Sequence, residues 1–415
     1  YYGGDCASLN IAALWKKYKG TEEPPAAFGH NRDWNVDLIP KFIMSNGKLV
    51  KMLIKSKVTK YLEWKVVDGT YVFQVSKGLM GGKKAGIHKV PSNDSEALKS
   101  SLMGLWEKKR CRNFFKYVES FNEEDPKTFG GIDPTSDPFA ALIKKFGLEA
   151  NTIDFVGHAI ALYPSDAFIS QPCLGTIKKI KLYMDSHGLY GDSPFIYPVY
   201  GLGGLPEGFS RLSAVYGGTY MLNQDIDEIV LDESGQVSGV RAGDQVAKCK
   251  MVIADPSYVK SMDKVKKTGQ IVRCICIMDH PVPNTKGCQS VQVIIPQKQV
   301  GRNSDIYITM LSNVHCVCAQ NFYIAMISAN VETSSPETEI QPALDILGPV
   351  IESFVEIYDT YEPTCDGVND KVFVTSSYDS TSHFESASEE VLSLYKRIFG
   401  EDLDLNVEYE EEEGQ

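Results

Sequence analysis

The sequence predicts a mixed α/β protein in which a sheet-rich main domain is interrupted by an all-helical insertion. Three observations predict it. Short apolar runs and turns alternate up to about residue 91, helical apolar spacing dominates from 92 to 190, and strand-like alternation returns after Pro194. The length of 415 residues with 43% hydrophobic content fits a globular chain of two domains, one of them discontinuous.

Taken in order, Lys48 to Leu62 carries Leu49, Met52, Leu53, Val58, Tyr61 and Leu62 at helical spacing, and EWKVVDGTYVF reads as strand, turn, strand. The stretch GLMGGKKAG (78–86) reads as a flexible polar loop. Asn93 or Ser95 then caps a helix through EALKSSLMGLWEKKRCRNFFKYVESF, whose Leu98, Leu102, Leu105, Trp106, Phe114, Tyr117 and Val118 make one wide apolar stripe. DPFAALIKKFG, NTIDFVGHAIALY and CLGTIKKIKLYMDSHG continue the helical pattern.

Beyond Pro194, IDEIVLDESGQVSGVRAG has a hairpin pattern turning at Ser234 and Gly235, and KMVIADPSYV reads as a buried strand ending at Asp255-Pro256. QIVRCICIMDHPV, SVQVIIP, SDIYITMLS and FYIAMISANVE are further strands. A helix is expected over 341–358, then the strand KVFVTSSYD and a last helix in SEEVLSLYKRIFG.

Charge and cysteine usage exclude several function classes. Eight carboxylates behind the formal charge of −12 lie between Glu401 and Glu413, so 401–415 reads as an acidic disordered tail on a nearly neutral body. Such a body lacks the basic surface that sequence-independent nucleic-acid binding requires. No apolar run reaches the ~18 residues needed to span a bilayer, and YYGGDCASLN has no signal-peptide pattern. Ten cysteines occur without a C-x-x-C pair, and Cys274/Cys276 and Cys316/Cys318 read as small core residues sharing a strand face. The expectation is a reduced, cytoplasmic chain without a metal.

The chemistry-bearing motifs are few. No G-x-S-x-G elbow, P-loop or H-E-x-x-H occurs, and Asp33, Trp34 and Asp37 read as a structural corner around a packed tryptophan. The stretch YGLGGLPEGFSRLSAVYGGTYMLN (200–223) has two glycine clusters around a short helix. Counting from Gly201, the third glycine of the dinucleotide fingerprint is replaced by Pro206. Pro206 and Glu207 fit a first helical turn, Phe209, Leu212 and Val215 are expected inward, and Gly217-Gly218 ends the helix.

The order of a glycine turn, a short helix, GGTYMLN, a hairpin and MVIADP looks like the second glycine-containing part of two-domain flavoproteins, yet the fingerprint that would hold FAD is missing. Longer strings carry a closer likeness. YYGG (1–4), RDWNVDLIPKF (32–42), LVKML (49–53), SLMGL (101–105), DPKTF (125–129), YGLG (200–203), YGGTYMLN (216–223), DPSYV (255–259), SDIY (304–307) and SHFE (382–385) resemble the Rab GDP dissociation inhibitors, in order, from Tyr1 to about Glu401.

That resemblance implies an FAD-binding-like scaffold without cofactor over 1–91 and 191–400, and a prenyl-binding helical domain over 92–190. It implies a non-enzymatic protein that binds GDP-bound geranylgeranylated Rab GTPases, slows GDP release, and extracts them from and delivers them to membranes, which it meets only transiently through the GTPase. In the family about forty residues precede YYGG, so an incomplete N-terminus is expected. The GTPase-facing platform carries over to Tyr2, Arg211, Thr219 and Met221. Leu102, Leu105, Phe114 and Val118, at helical spacing, are candidates for a prenyl groove, with a plain bundle core as the other reading of each. Gly204 stands where the family usually has an acidic residue, Leu189 where it commonly has arginine, and the loop 74–87 is longer. Two other readings stay open: a Rab escort protein presenting the GTPase for prenylation, and a flavin-dependent oxidoreductase.

Overall fold

The computed structural model describes residues 3–4, 7–20, 23–77, 83–91 and 103–406. The chain begins with β1 (Ser8–Leu9) and α1 (Ile11–Lys19). Asn10 caps α1 by accepting the Ala13 N–H, while Lys16, Lys17 and Lys19 sit at the carbonyl end, where the helix dipole favours cations. Next come β2 (Val36–Asp37), antiparallel to β1, then β3 (Ile43–Met44) and α2 (Lys48–Lys55). The helix expected to reach Leu62 stops at Lys55, because Lys57 takes a left-handed φ of 61° and Val58–Tyr61 forms a separate 3-10 turn.

β4 (Trp64–Val66) and β5 (Gly69–Lys77) are consecutive in sequence but belong to different sheets. The expected polar loop also needs correction: Lys83–Lys89 is a strand, β6, antiparallel to β5 with Ile87 opposite Phe73. Lysines and glycines masked its alternation, and only residues 78–82 of that stretch lie outside the described set.

The helical segment contains α3 (Leu105–Ser120), α4 (Phe139–Phe146) and α5 (Cys173–Ser186). The caps expected at Asn93 and Ser95 lie outside the described residues, and α3 starts at Leu105 with Gly104 in the capping position. Between α4 and α5 a short helix, Ala150–Asp154, runs into a π-helical turn at Phe155–Ile160. Gly157 is required there, since a Cβ would lie 2.1 Å from the Phe168 ring. Phe114, Val118, Phe139, Leu142, Phe168 and Ile177 are all fully buried and form the core of this bundle.

After β7 (Phe195–Pro198), which joins β3 and β4 in a three-stranded sheet, comes α6 (Gly204–Val215). β8 (Glu228–Leu231), β9 (Val237–Ala242) and β10 (Gln245–Lys248) make a small antiparallel sheet turning at Gly235, as expected. β11 (Val252–Ala254) is shorter and more open than the expected buried strand, with Ile253 56% exposed.

β12 (Val265–Met278), β13 (Ser290–Ile295), β14 (Ile306–Ser312) and β15 (Tyr323–Asn330) follow the sequence reading. The helix expected over 341–358 does not exist as one element. It is α7 (Gln341–Leu347), then Gly348 at φ 80°, Pro349, and β16 (Glu352–Pro363). Gly348 and Pro349 are the breakers, and the alternating residues beyond them fit a sheet edge rather than a helix face. β17 (Val372–Val374) pairs parallel with β11, and α8 (Glu385–Phe399) is last. Cys274 and Cys276 do share a strand face, Sγ to Sγ 3.5 Å, but Cys316 and Cys318 lie in the turn after β14, with Cys316 at φ 56°.

The main sheet runs β16-β12-β15-β14-β13-β5-β6, antiparallel except between β13 and β5. One face is covered by α7 through Ala343 and Leu347. The other faces the layer containing Phe42 and Tyr197. Lys41, buried, donates to Asp379 at 2.6 Å and to the Thr381 carbonyl, fixing residues 379–382 against that second face. Of the expected acidic tail, Asp402 and Asp404 pair with Lys396 and Lys55, and 407–415 lie outside the described residues. Among the described residues no helix is long and apolar enough to cross a membrane.

The bundle is tied to the sheet by His158, in the π-helical turn. Its Nδ1–H donates to Asp305 at 2.7 Å, just before β14, and its Nε2–H to Asp166 at 3.3 Å. Burial alone lowers the imidazole pKa, but the two carboxylates overcome it and hold it at about 10. This stabilisation is complete below the unfolded value near 6.5 and is lost as pH rises through about 10. His158→Leu, which strands Asp305 as a buried unpaired carboxylate, is expected to lower unfolding free energy at neutral pH by about 3–5 kcal/mol in denaturant titrations.

Candidate functional site

The glycine-rich stretch 200–223 wraps a carboxylate that belongs to the protein itself. Asp37 is buried at the end of β2, where it accepts hydrogen bonds from the Ser8 and Tyr197 hydroxyls and from the Leu202 N–H at 2.9 Å. The Gly203 N–H donates to Ser8 Oγ at 2.9 Å. Gly201 has a φ of 86°, and a Cβ there would lie 2.9 Å from both Asp37 oxygens. The close backbone approach that glycines give phosphate-binding loops is thus spent on an internal anion. Burial raises the Asp37 carboxyl and its hydrogen bonds lower it, leaving the pKa at about 6.

That turn launches α6. Pro206 and Glu207 occupy its first turns as the sequence predicts, and Gly217 (φ 86°) follows its end. Its buried face is different from the one expected. Leu205, Gly208 and, in part, Leu212 point inward, whereas Phe209 and Val215 point outward, Val215 being 73% exposed. The glycines decide this: added Cβ atoms would stand 3.2 Å from Leu62 at Gly204 and 3.1 Å from Val58 at Gly208, so the helix lies with its backbone against the Val58–Tyr61 turn. A side chain at Gly204 has to displace the Leu62 methyl.

On the outer side, Arg211 pairs with Glu207 one turn back at 2.7 Å, both exposed. Thr219 and Met221 lie in the irregular segment after α6 and are exposed, Met221 at 69%; neither packs on a sheet. Tyr2 lies outside the described residues. Tyr200, Phe209, Val215, Tyr216, Tyr220 and Leu222 are also exposed large apolar side chains. The sequence reading missed these. The signal that could have found them is the Gly204, Gly208, Leu212 spacing of four, which marks the face that is down and leaves the others up. Concentrated exposed apolar side chains mark an interaction surface more often than chance.

The four prenyl-groove candidates are not brought onto one surface. Leu102 lies outside the described residues, Leu105 is 77% exposed beside the equally open Trp106, and Phe114 and Val118 are inside the bundle core. Phe114 packs its ring 5.6 Å from Phe146 and 6.1 Å from Phe139. Among the described residues the expected stripe therefore splits, with Leu105 and Trp106 outside and Phe114 and Val118 inside; Leu98, like Leu102, lies outside the described residues. Leu189 is exposed next to Tyr190.

Ligand atoms of Asp154, His158 and Asp166 come within 4.8 Å of one another. Their capacity is already met by protein donors: Gln299 on Asp154, Lys298 and Gln297 on Asp166, and the protonated His158 between. The arrangement is an ion-pair network in its own right.

The chain matches the family described as GDP dissociation inhibitor over residues 1–410. It is 50% identical over 406 residues to Rab GDP dissociation inhibitor beta of Rattus norvegicus, covering 98% of this chain and 88% of that one. The protein of the same name from Canis lupus familiaris is 51% identical with the same coverage. A solved Rab GDI from Plasmodium falciparum superposes with a TM-score of 0.93 at 48% identity, covering 97% of this chain and 91% of that one. An oxidoreductase from Methanosarcina mazei, 13% identical, has a TM-score of 0.54 over 88% of this chain and 89% of that one, a likeness of fold alone.

Asp37 makes stability depend on pH in a defined direction. With its folded pKa raised from 3.8 to about 6, its contribution is full below pH 4 and is lost as pH rises through 6. Against an Asp37→Asn variant, the parent is expected to lose about 3 kcal/mol of unfolding free energy between pH 4 and pH 7, measured by denaturant titration at each pH.

Proposed function

The chain belongs to the GDP dissociation inhibitor family, and we propose that it acts as a Rab GDP dissociation inhibitor, binding GDP-bound geranylgeranylated Rab GTPases and slowing their GDP release. Members of this family are regulators rather than enzymes. The observation that carries the reading beyond the family is the outer side of the segment 200–222, where an exposed cation, exposed aromatics and Met221 rise from a turn locked onto Asp37. Aromatic anchors, a soft methionine and a fork-shaped arginine are the chemistry of a protein interface. Arg211, Thr219 and Met221, with Tyr2, form its platform.

Solubilising the prenylated partner is the second half of the task. A geranylgeranyl chain has about twenty carbons, and burial contributes about 0.8 kcal/mol per CH₂-sized group, so two chains cost tens of kcal/mol to hold in water. In this reading residues 1–91 and 191–400 form the GTPase-binding domain and 92–190 the lipid-binding one. Of the prenyl-groove candidates, Leu105 is open to a lipid chain as it stands, and Phe114 and Val118 are reached only when the helices part. The protein shuttles as a monomer between cytosol and membranes, extracting and delivering its partner.

Release of a fluorescent GDP analogue from a prenylated, GDP-loaded Rab tests the reading. Added protein is expected to slow release at stoichiometric concentration, and unchanged release would sink it. In the same titration Arg211→Ala is expected to weaken binding about tenfold or more, the loss of a charge-assisted hydrogen bond of roughly 1.5–3 kcal/mol. Unaltered affinity removes Arg211 from the platform.

A further inference from the structure

The two faces of the seven-stranded sheet are chemically unlike. On the α7 side the central strands present Cys274, Val293, Ile308 and Ile327, all apolar. On the other side the register aligns Arg273 with Ser328, Ser328 with Tyr307, and Thr309 with both Met326 and Gln292. Residues directly opposite on neighbouring strands share a face, so these make two adjacent rows of a buried polar surface. Tyr307 OH, Thr309 Oγ1, Ser328 Oγ and Gln292 Nε2 are buried on it and make no hydrogen bond among the described residues.

Two cavities lie against this surface, each with about 10 Å³ of room for the centre of a water molecule. Arg273, Tyr307, Thr309 and Ser328 line the first together with Ser380–Ser382, the segment that Lys41 pins down. Asp37, Tyr197 and Thr309 line the second. Pro40, Thr309 and Met326 border both, so the cavities are neighbours with the Thr309 side chain between them.

We propose that this seam is a bound-water site: one ordered water bridges Tyr307, Thr309 and Ser328, and a second joins Thr309 to the Asp37 carboxylate. The size of each cavity matches a single water and is far too small for a metabolite. The lining supplies the two to four polar partners a buried water needs, and an apolar cavity of this size would stay dry. Three of the four unpaired groups, on Tyr307, Thr309 and Ser328, thereby gain a partner, and Asp37, which holds the glycine turn from above, gains a solvent-like partner from below.

A high-resolution crystal structure of the chain, with denaturant titration of Thr309→Val, tests this. The expected result is a solvent peak about 2.6–3.2 Å from at least two of the Tyr307, Thr309 and Ser328 oxygens. The near-isosteric Thr309→Val, which removes the shared hydroxyl, is expected to lower the folding equilibrium constant about tenfold. An empty first cavity overturns the proposal. So does a Thr309→Val chain as stable as the parent or more so, because a dry seam gains by losing an unpaired hydroxyl. Tyr307→Phe gives an independent variant with the same two outcomes.

Discussion

The buried carboxylate of Asp37 is the constraint on which the rest of the upper surface depends. It lies where three pieces of chain far apart in sequence converge: the β1–β2 pair, the end of β7, and the glycine turn that opens α6. A carboxylate out of water is tolerated only if its oxygens are matched by donors. Here the donors are supplied by each of those three pieces, so none can shift without stranding the charge. Its raised pKa is the residual cost of that burial, left after two hydroxyls and an amide have done what they can. The same donors force Gly201 and Gly203 to be glycine, since any Cβ would enter the space of Ser8 and Asp37. A loop geometry built for phosphates elsewhere becomes a rigid internal clamp.

The sheet below is organised by a second imbalance, between an apolar face under α7 and a polar face under Pro40 and residues 379–382. Each unpaired buried hydroxyl or amide costs roughly 1–3 kcal/mol, and four of them on one surface would consume much of a domain's net stability. In this chain that face is closed over by Lys41 and its anchored segment, which leaves room for little more than solvent. The His158 network then fixes the helical bundle to the start of the central strand β14 through Asp305, so the two halves share a polar tie as well as one continuous apolar core.

Most of this architecture is legible in the residues because its elements have strong single periods. The strands β12 to β15 are short, nearly continuous apolar runs rich in β-branched residues and bounded by turn residues, and the bundle helices carry apolar residues at helical spacing. The readings fail where two signals compete. Residues 341–358 contain an apolar density that suits either period, and the Gly348-Pro349 break outweighs it. The lysine-rich β6 hides a strand behind loop-like composition. In α6 size alone favours Phe209 and Val215 inward, yet the inner face carries Gly204 and Gly208 beside Leu205, because the helix backbone approaches Val58 and Leu62 too closely to leave room for a larger side chain. Of the platform, Arg211, Thr219 and Met221 come from likeness to a family rather than from any local rule. Asp37 as its anchor was visible only as one acid in a corner, since no spacing reports a partner more than 160 residues away.

Exposed aromatics on a soluble surface are a liability unless something fixes them. On a mobile loop, Tyr216, Tyr220 and Met221 would collapse on one another, and a partner would have to undo that collapse and then order each side chain, at about 0.5–1.5 kcal/mol apiece. Here the segment follows directly on α6, whose backbone is pressed against the Val58–Tyr61 turn and whose entry is clamped by Asp37, so its base is already ordered. The Arg211–Glu207 pair adds a reversible element: exposed on both sides, it contributes little to the fold and leaves the guanidinium positioned but available. For the proposed platform, affinity would follow from the rigidity of the glycine turn as much as from the side chains above it, so that loosening the turn would weaken a partner's grip without removing a single contact.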